Sequence, residues 1–208
     1  MYTLYHNPYS QHGRRVVALL EAAGLPYEVR HVALEKGEHM TPAFLAINPN
    51  HQVPAMIDGE LTLYESNAML RYLCHKHALT DWYPHEPARR AVVEQWLDWN
   101  QCRLAPAVID IVLNKVFLGA KGDAQAIARG EQRLAELAPI LEAGLEGRTF
   151  LAGESPTIAD LAVASNVTQL GLAGAVPDRP GLKAWFSRVS ALEGVRRACR
   201  PLAPPQPA

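Results

Sequence analysis

Between Gln52 and Ser66 the sequence places several groups that could hold a small charged molecule. Gln52-Val53-Pro54 leads into an apolar run, Asp58-Gly59 interrupts it, and Glu65-Ser66 ends it. Ser66 precedes Ala68, Met69, Leu70, Tyr72 and Leu73, where the N-cap of a helix belongs. A helix N-terminus offers free N–H groups and partial positive charge, and so suits a carboxylate. The carboxylate of Glu65 beside it suits an ammonium. One small site would thus grip both ends of an α-amino acid. A second group of polar side chains stands at the start of the first helix, in Tyr9-Ser10-Gln11-His12-Gly13-Arg14. An uncharged histidine at His12 could polarise a substrate.

These residues need a scaffold, and the local patterns supply one. Tyr2 to His6 reads as a strand and Asn7-Pro8-Tyr9 as a turn. From Ser10 a helix carries Val16, Val17, Leu19, Leu20 and Ala23 on one face, and Gly24 ends it. Tyr27 to Val32 alternates as a strand. Glu35 to His39 reads as a polar loop, and Thr41 caps a short helix with Pro42 at its first position. Asp58-Gly59 between two apolar runs marks a hairpin turn, and a helix follows from Ser66. The order β-α-β-α-β-β-α denotes an α/β domain over 1–79. Residues 80–87 read as a linker, with Pro84 and Pro87 interrupting helix. Residues 88–200 read as all-helical, with a bend or helix start at Pro106 and a last helix over Leu182 to Ala198. Thr157-Ile158-Ala159-Asp160 is a capping box with Asp in place of Glu. The tail 201–208 holds four prolines and is expected to be disordered.

The combination of Val-Pro, the Asp-Gly hairpin and Glu-Ser at fixed spacing resembles the glutathione-binding motif of the cytosolic glutathione transferases. The resemblance extends over nearly the whole chain. It implies a thioredoxin-like N-terminal domain, an all-α C-terminal domain, a cytoplasmic homodimer and a role in detoxification. Ser10, with an arginine four residues later, is similar to the theta-type and related bacterial members with an N-terminal serine. The resemblance makes Ser10 the donor of a hydrogen bond to the glutathione sulfur. A free thiol with a pKa of about 8.5 is mostly protonated near neutrality. A hydroxyl at a helix N-terminus favours the thiolate. Acting also as the N-cap, Ser10 would serve through its backbone, with Oγ left for the ligand. Tyr9 and His12 are its rivals, while Tyr5 reads as strand core. No cysteine stands at position 10, so exchange through a protein thiol is not expected.

The resemblance further implies a cis Val53-Pro54 bond, with Val53 pairing to the cysteinyl backbone and Gln52 beside it. His39 is similar to the histidine that phi-type and theta-type members use near the glycine carboxylate. Met40 replaces the lysine that often follows it, and Lys36 reads as a solvated charge. Tyr9, Asn100, Arg103, Asp110 and Phe117 are the expected walls of a pocket for a second, apolar substrate. Trp96 and Trp99 read as core, and Asp98 is the choice for a residue reaching the glutathione of a dimer partner. Two alternatives stay open: a glutathione-dependent dehalogenase, isomerase or peroxidase, and a non-catalytic binding module. The intact Ser10, Glu65 and Ser66 argue against the second.

Composition sets the outer limits. Apolar residues make up 49% of 208 and charged residues 20%, with a net charge of -1, which gives no pull toward nucleic acid or an anionic membrane. No apolar run is long enough for a membrane span, and Tyr2-Thr3-Leu4-Tyr5 is not a signal-peptide start. Cys74, Cys102 and Cys199 form no metal-ligand cluster, so no metal and no tightly bound cofactor are expected, glutathione being a co-substrate.

Overall fold

The computed structural model describes residues 1–202. Most of the tail expected to be disordered, 203–208, lies outside the described residues. The chain divides into two units, Met1–Leu79 with the segment from Leu192, and Thr80–Ala191.

The first unit is built on a four-stranded sheet in the order β2-β1-β3-β4. Strands β1 (Tyr2–His6) and β2 (Tyr27–His31) run parallel, while β3 (Ala55–Asp58) runs antiparallel to β1 and to β4 (Leu61–Tyr64). Leu4, Ala55 and Met56 of the two central strands are fully buried. Helix α1 (Gln11–Ala22) buries Val16, Leu19 and Leu20 and ends as the sequence predicts. Gly24 takes a left-handed φ of 62°, and the Leu25 and Gly24 N–H groups return to the Leu20 and Glu21 carbonyls. Thr41 caps α2 (Pro42–Leu45) by accepting from the Phe44 N–H. Helix α3 (Ser66–Lys76) completes the expected β-α-β-α-β-β-α order. The segment read as a polar loop forms two 3₁₀ turns, Leu34–Lys36 and Glu38–Met40. The hairpin turn lies one residue later than the Asp-Gly pair suggests. Asp58 pairs with Leu61, leaving Gly59 and Glu60 as the turn, with φ 60° at Gly59.

The second unit is helical. Helix α4 (Pro87–Trp99) starts at Pro87, because the Glu86 carboxylate caps the Ala88 and Arg89 N–H groups and proline needs no partner there. A π turn over Asn100–Leu104 leads into α5 (Ala105–Val112), and a second over Leu113–Phe117 follows it. The widened turn before Pro106 accommodates its missing N–H. Helix α6 (Ala124–Gly144) tolerates Pro139 in its interior. Helix α7 (Ile158–Leu172) is buried over most of its length, and the capping box expected at its start is present. Asp160, itself fully buried, accepts from the Leu151 and Thr157 N–H groups, the Thr157 hydroxyl and the Trp185 indole. Helix α8 (Pro180–Ser190) is capped by a distant residue, since both Glu142 carboxylate oxygens accept from the Gly181 and Leu182 N–H groups.

The single last helix read from Leu182 to Ala198 is two. Helix α9 (Glu193–Cys199) belongs to the first unit and packs on α1. A Cβ on Gly194 would stand 2.3 Å from the Ala18 carbonyl oxygen, so only glycine permits this approach. Arg197 pairs with Glu21, which also accepts from the Tyr27 hydroxyl at 2.7 Å.

Asp160→Ala leaves buried donors on Leu151, Thr157 and Trp185 unmatched. It is expected to lower stability by at least about 3 kcal/mol, read by denaturant unfolding. Loss of less than about 1 kcal/mol would contradict the role given to this carboxylate.

Candidate active site

The turn between β1 and α1 sets the position of Ser10. Asn7 is buried, its side-chain amide donates to the Val32 carbonyl at 3.0 Å, and its oxygen accepts from the Tyr9 N–H at 3.0 Å. The Ser10 N–H donates to the Asn7 carbonyl. Ser10 is the N-cap of α1, and its Oγ accepts from the Gly13 N–H at 3.2 Å. Its hydroxyl donates to the Val53 carbonyl at 3.5 Å, the outer limit of a hydrogen bond. The separation of roles expected for Ser10 therefore does not hold: Oγ itself caps. A hydroxyl has one proton and two lone pairs, so capping uses a lone pair and leaves the proton on a weak contact.

Opposite Ser10, the Val53-Pro54 bond is cis. Asn48 shapes the loop before it. Asn48 is buried, donates to the Gln52 carbonyl at 2.7 Å and accepts from the Asn50 N–H at 3.0 Å. Gln52 itself is exposed. Val53 packs with Val32 and Phe44, flanked by Tyr5 and Leu34, so one small apolar cluster anchors this loop and the one before α2. His39 is half-buried, and its Nδ1 has no hydrogen-bond partner among the described residues. Lys36 and Met40 are exposed.

The start of α3 differs from expectation. Glu65, not Ser66, is the N-cap; it has a left-handed φ of 69° and its side chain makes no capping bond. Ser66 is the first helical residue and is buried, while Glu65 is exposed. A non-glycine residue at positive φ stores backbone strain of the kind that collects at binding sites. The helix end is left without a side-chain cap from Glu65, the condition in which it can receive an external anion.

The titratable groups around α1 are set by burial. Burial and the neighbouring Arg15 cation push His12 down to about 3. Burial, with Arg14 and His31, pushes His6 down to about 4. Both imidazoles are neutral at pH 7, so His12 adds no charge beside Ser10. Tyr9 is 51% exposed. Burial pushes the Cys74 thiol up to about 12, in line with an unreactive cysteine.

Two family models match the sequence: the glutathione S-transferase N-terminal domain over residues 1–75 and the C-terminal domain over 104–193. The chain belongs to the glutathione S-transferase family. Among curated relatives, glutathione S-transferase 3 of Zea mays is 35% identical over 216 residues, covering 97% of this chain and 96% of its own. Glutathione S-transferase theta-1 of Mus musculus is 35% identical over 200 residues, covering 92% and 83%. A solved structure of a glutathione transferase family member from Pseudomonas fluorescens Pf-5 holds two bound glutathione molecules. It superposes with a TM-score of 0.87 at 30% identity, covering 95% of this chain and 92% of that one.

In this transferase the first unit brings Ser10 and Val53 into direct contact and orders the backbone at Gln52, Pro54, Glu65 and Ser66 around the same sheet. The residues read as walls of a second pocket lie in the second unit and fare differently. Asn100 is 0% exposed and accepts from the Asn166 amide at 2.7 Å, so it is a structural tie with no surface for a substrate. Asp110 is held in an ion pair with Arg129 at 3.0 Å. Arg103 and Phe117 are exposed, as is Asp98. Trp96 is buried and meets Trp99 edge-on at 5.2 Å, which fits the reading as core. Among the described residues, no group of His, Cys, Asp and Glu could hold a metal ion, and no helix is long and apolar enough to cross a membrane. Asn7 and Asn48 were not singled out in the sequence as site-shaping residues, although Asn-Pro occurs at both as a turn signal.

The depressed histidines fix a pH dependence of stability. The unfolded chain takes up a proton at each near pH 6.5, while folded His6 resists protonation down to about 4 and folded His12 to about 3. Stability is therefore unaffected at pH 7 and falls as pH drops through that window, by up to about 1.4 kcal/mol per pH unit for each histidine. Urea unfolding between pH 7 and 4 is expected to show this slope, and His6→Gln to flatten it. An unchanged slope in that variant would count against the assignment.

Proposed function

We propose that Ser10 is the group through which this glutathione S-transferase activates its co-substrate. The carrying observation is the state of Oγ, which accepts from Gly13 N–H and keeps its proton on a 3.5 Å contact to Val53. The accepted bond fixes the oxygen and polarises the O–H. A thiolate arriving at this point is a better acceptor than the long carbonyl contact and takes the proton as a charge-assisted hydrogen bond. The N-terminus of α1 adds its partial positive charge. Neutral His12 adds no positive charge to this first turn.

The rest of the first unit supports the binding of the peptide. The Val53 backbone would pair with the cysteinyl residue as an added strand does, with Gln52 beside it. Half-buried His39 would serve the glycine end by another edge of its ring, since its Nδ1 is buried. Glu65 and Ser66, at the open start of α3, suit the ammonium and carboxylate of the γ-glutamyl end. The bound thiolate then attacks a small apolar electrophile: a bond forms from sulfur, and the leaving group or added proton balances the charge. Positioning and thiolate stabilisation supply the rate. A homodimer, with exposed Asp98 directed to the glutathione of a second copy, and a cytoplasmic setting that keeps glutathione reduced belong to the same reading.

Ser10→Ala is expected to lower turnover about 10²-fold. It should raise the pKa of bound glutathione toward about 8.5 and leave glutathione affinity nearly unchanged. Ultraviolet thiolate absorbance across pH, together with steady-state kinetics, reads both. Full activity in Ser10→Ala, with the loss appearing in Tyr9→Phe or His12→Ala, would transfer the role to that residue.

A further inference from the structure

Arg15 is the least expected residue in the first unit. It sits in the first half of α1, where a helical arginine ordinarily reaches solvent, yet it is 0% exposed. One guanidinium nitrogen, Nη1, donates to the Asn67 side-chain oxygen at 3.2 Å. The other two, Nε and Nη2, are buried with no hydrogen-bond partner among the described residues. No carboxylate is salt-bridged to it among the described residues, and the attraction it feels comes from exposed Glu65. A buried cation left this incompletely matched is costly. Perturbed charges of this kind cluster at functional sites.

Its position identifies the site. Asn67 is the second residue of α3, directly after Ser66, and Glu65 is the strained N-cap that does not cap. The guanidinium thus stands behind the open end of α3 and grips that end through Asn67. Two sources of positive potential then coincide there: the helix N-terminus, which the Glu65 side chain does not cap, and an unneutralised charge in a low-dielectric interior, where charge acts more strongly than in water.

We propose that Arg15 is a positioning residue for the γ-glutamyl end of glutathione, holding the first turn of α3 through Asn67 and making it a stronger anchor for the α-carboxylate. This rests on the reading of Glu65 and Ser66 as the γ-glutamyl site. Arg15 acts from behind the helix end and makes no contact with the peptide. Its charge also falls on His12 and contributes to keeping that imidazole neutral. The two unmatched donors follow from the same role, since a buried carboxylate bonded to them would cancel the field that the ligand carboxylate needs.

The test uses calorimetric titration of the full chain with three peptides: glutathione, the analogue lacking the γ-glutamyl carboxylate (4-aminobutyryl-Cys-Gly), and the analogue lacking the amine (glutaryl-Cys-Gly). In the wild type, 4-aminobutyryl-Cys-Gly should bind at least about tenfold more weakly than glutathione, a gap within the range of one charge-assisted contact. Arg15→Met should weaken glutathione and glutaryl-Cys-Gly about tenfold and leave 4-aminobutyryl-Cys-Gly unchanged. Arg15→Lys should recover part of the loss, because it restores charge without the fork. Asn67→Ala, which keeps the buried charge, should weaken the same two peptides and serves if Arg15→Met does not fold. Equal weakening of all three peptides in these variants would show a merely structural role and overturn the proposal. So would wild-type affinity in Arg15→Met, or no wild-type preference for glutathione over 4-aminobutyryl-Cys-Gly. If the wild type bound none of the three, the glutathione reading itself would fall, and this inference with it.

Discussion

Every α-helix begins with backbone N–H groups that its own turns cannot satisfy. Much of this chain is organised by how those groups are answered. At α1 the answer is Ser10, at α2 Thr41, at α4 Glu86, and at α7 the Thr157–Asp160 box. At α8 it comes from Glu142, 39 residues before the N–H it accepts. In the second unit this requirement becomes architectural, because Asp160 ties the loop at Leu151, the start of α7 and the Trp185 indole of α8 to one carboxylate.

In the first unit the same requirement turns into chemistry. Ser10 answers α1 with a lone pair and keeps its proton. Glu65 does not answer α3 at all, and its left-handed backbone leaves the helix end open. On the function proposed above, the two helix starts serve as complementary halves of a peptide site, one polarising a donor and one awaiting an anion. Burial keeps the intervening imidazoles uncharged, so the positive potential near them comes from helix ends and arginine.

What could be read from the sequence was mostly local. The strands, the Schellman end of α1 at Gly24 and the caps at Thr41 and Thr157 are written within a few residues, and each was legible. Two boundaries slipped by one residue for a reason in the chemistry. Serine is compatible with both the N-cap and the first turn, so Ser66 could not be told from Glu65. Gly59 supplies positive φ whether it comes first or second in a turn, so Asp-Gly and Gly-Glu looked alike. Non-local arrangements were not legible. The periodicity of 182–198 runs on while the chain turns at Ala191 to bring α9 back onto α1. Asn100 looked like a polar wall residue, and only its pairing with Asn166, 66 residues later, shows it as a tie. Arg15 did not stand out, because nothing nearby in sequence signals its burial. Ser10 at the start of α1 was legible, but the capping by its own oxygen depends on the Gly13 N–H and was not.

The return of α9 has a bearing on the order of events during synthesis. The first unit is begun by the first 79 residues but is closed by residues near the other end of the chain, with Gly194 seated against the Ala18 carbonyl and Arg197 against Glu21. On a ribosome, the sheet and α1 emerge early while their last packing partner is still untranslated. The face of α1 that receives α9 must therefore wait, uncovered, until the whole helical unit has been made. Vectorial translation can complete the second unit before the first, which inverts the order in which the two appear along the chain.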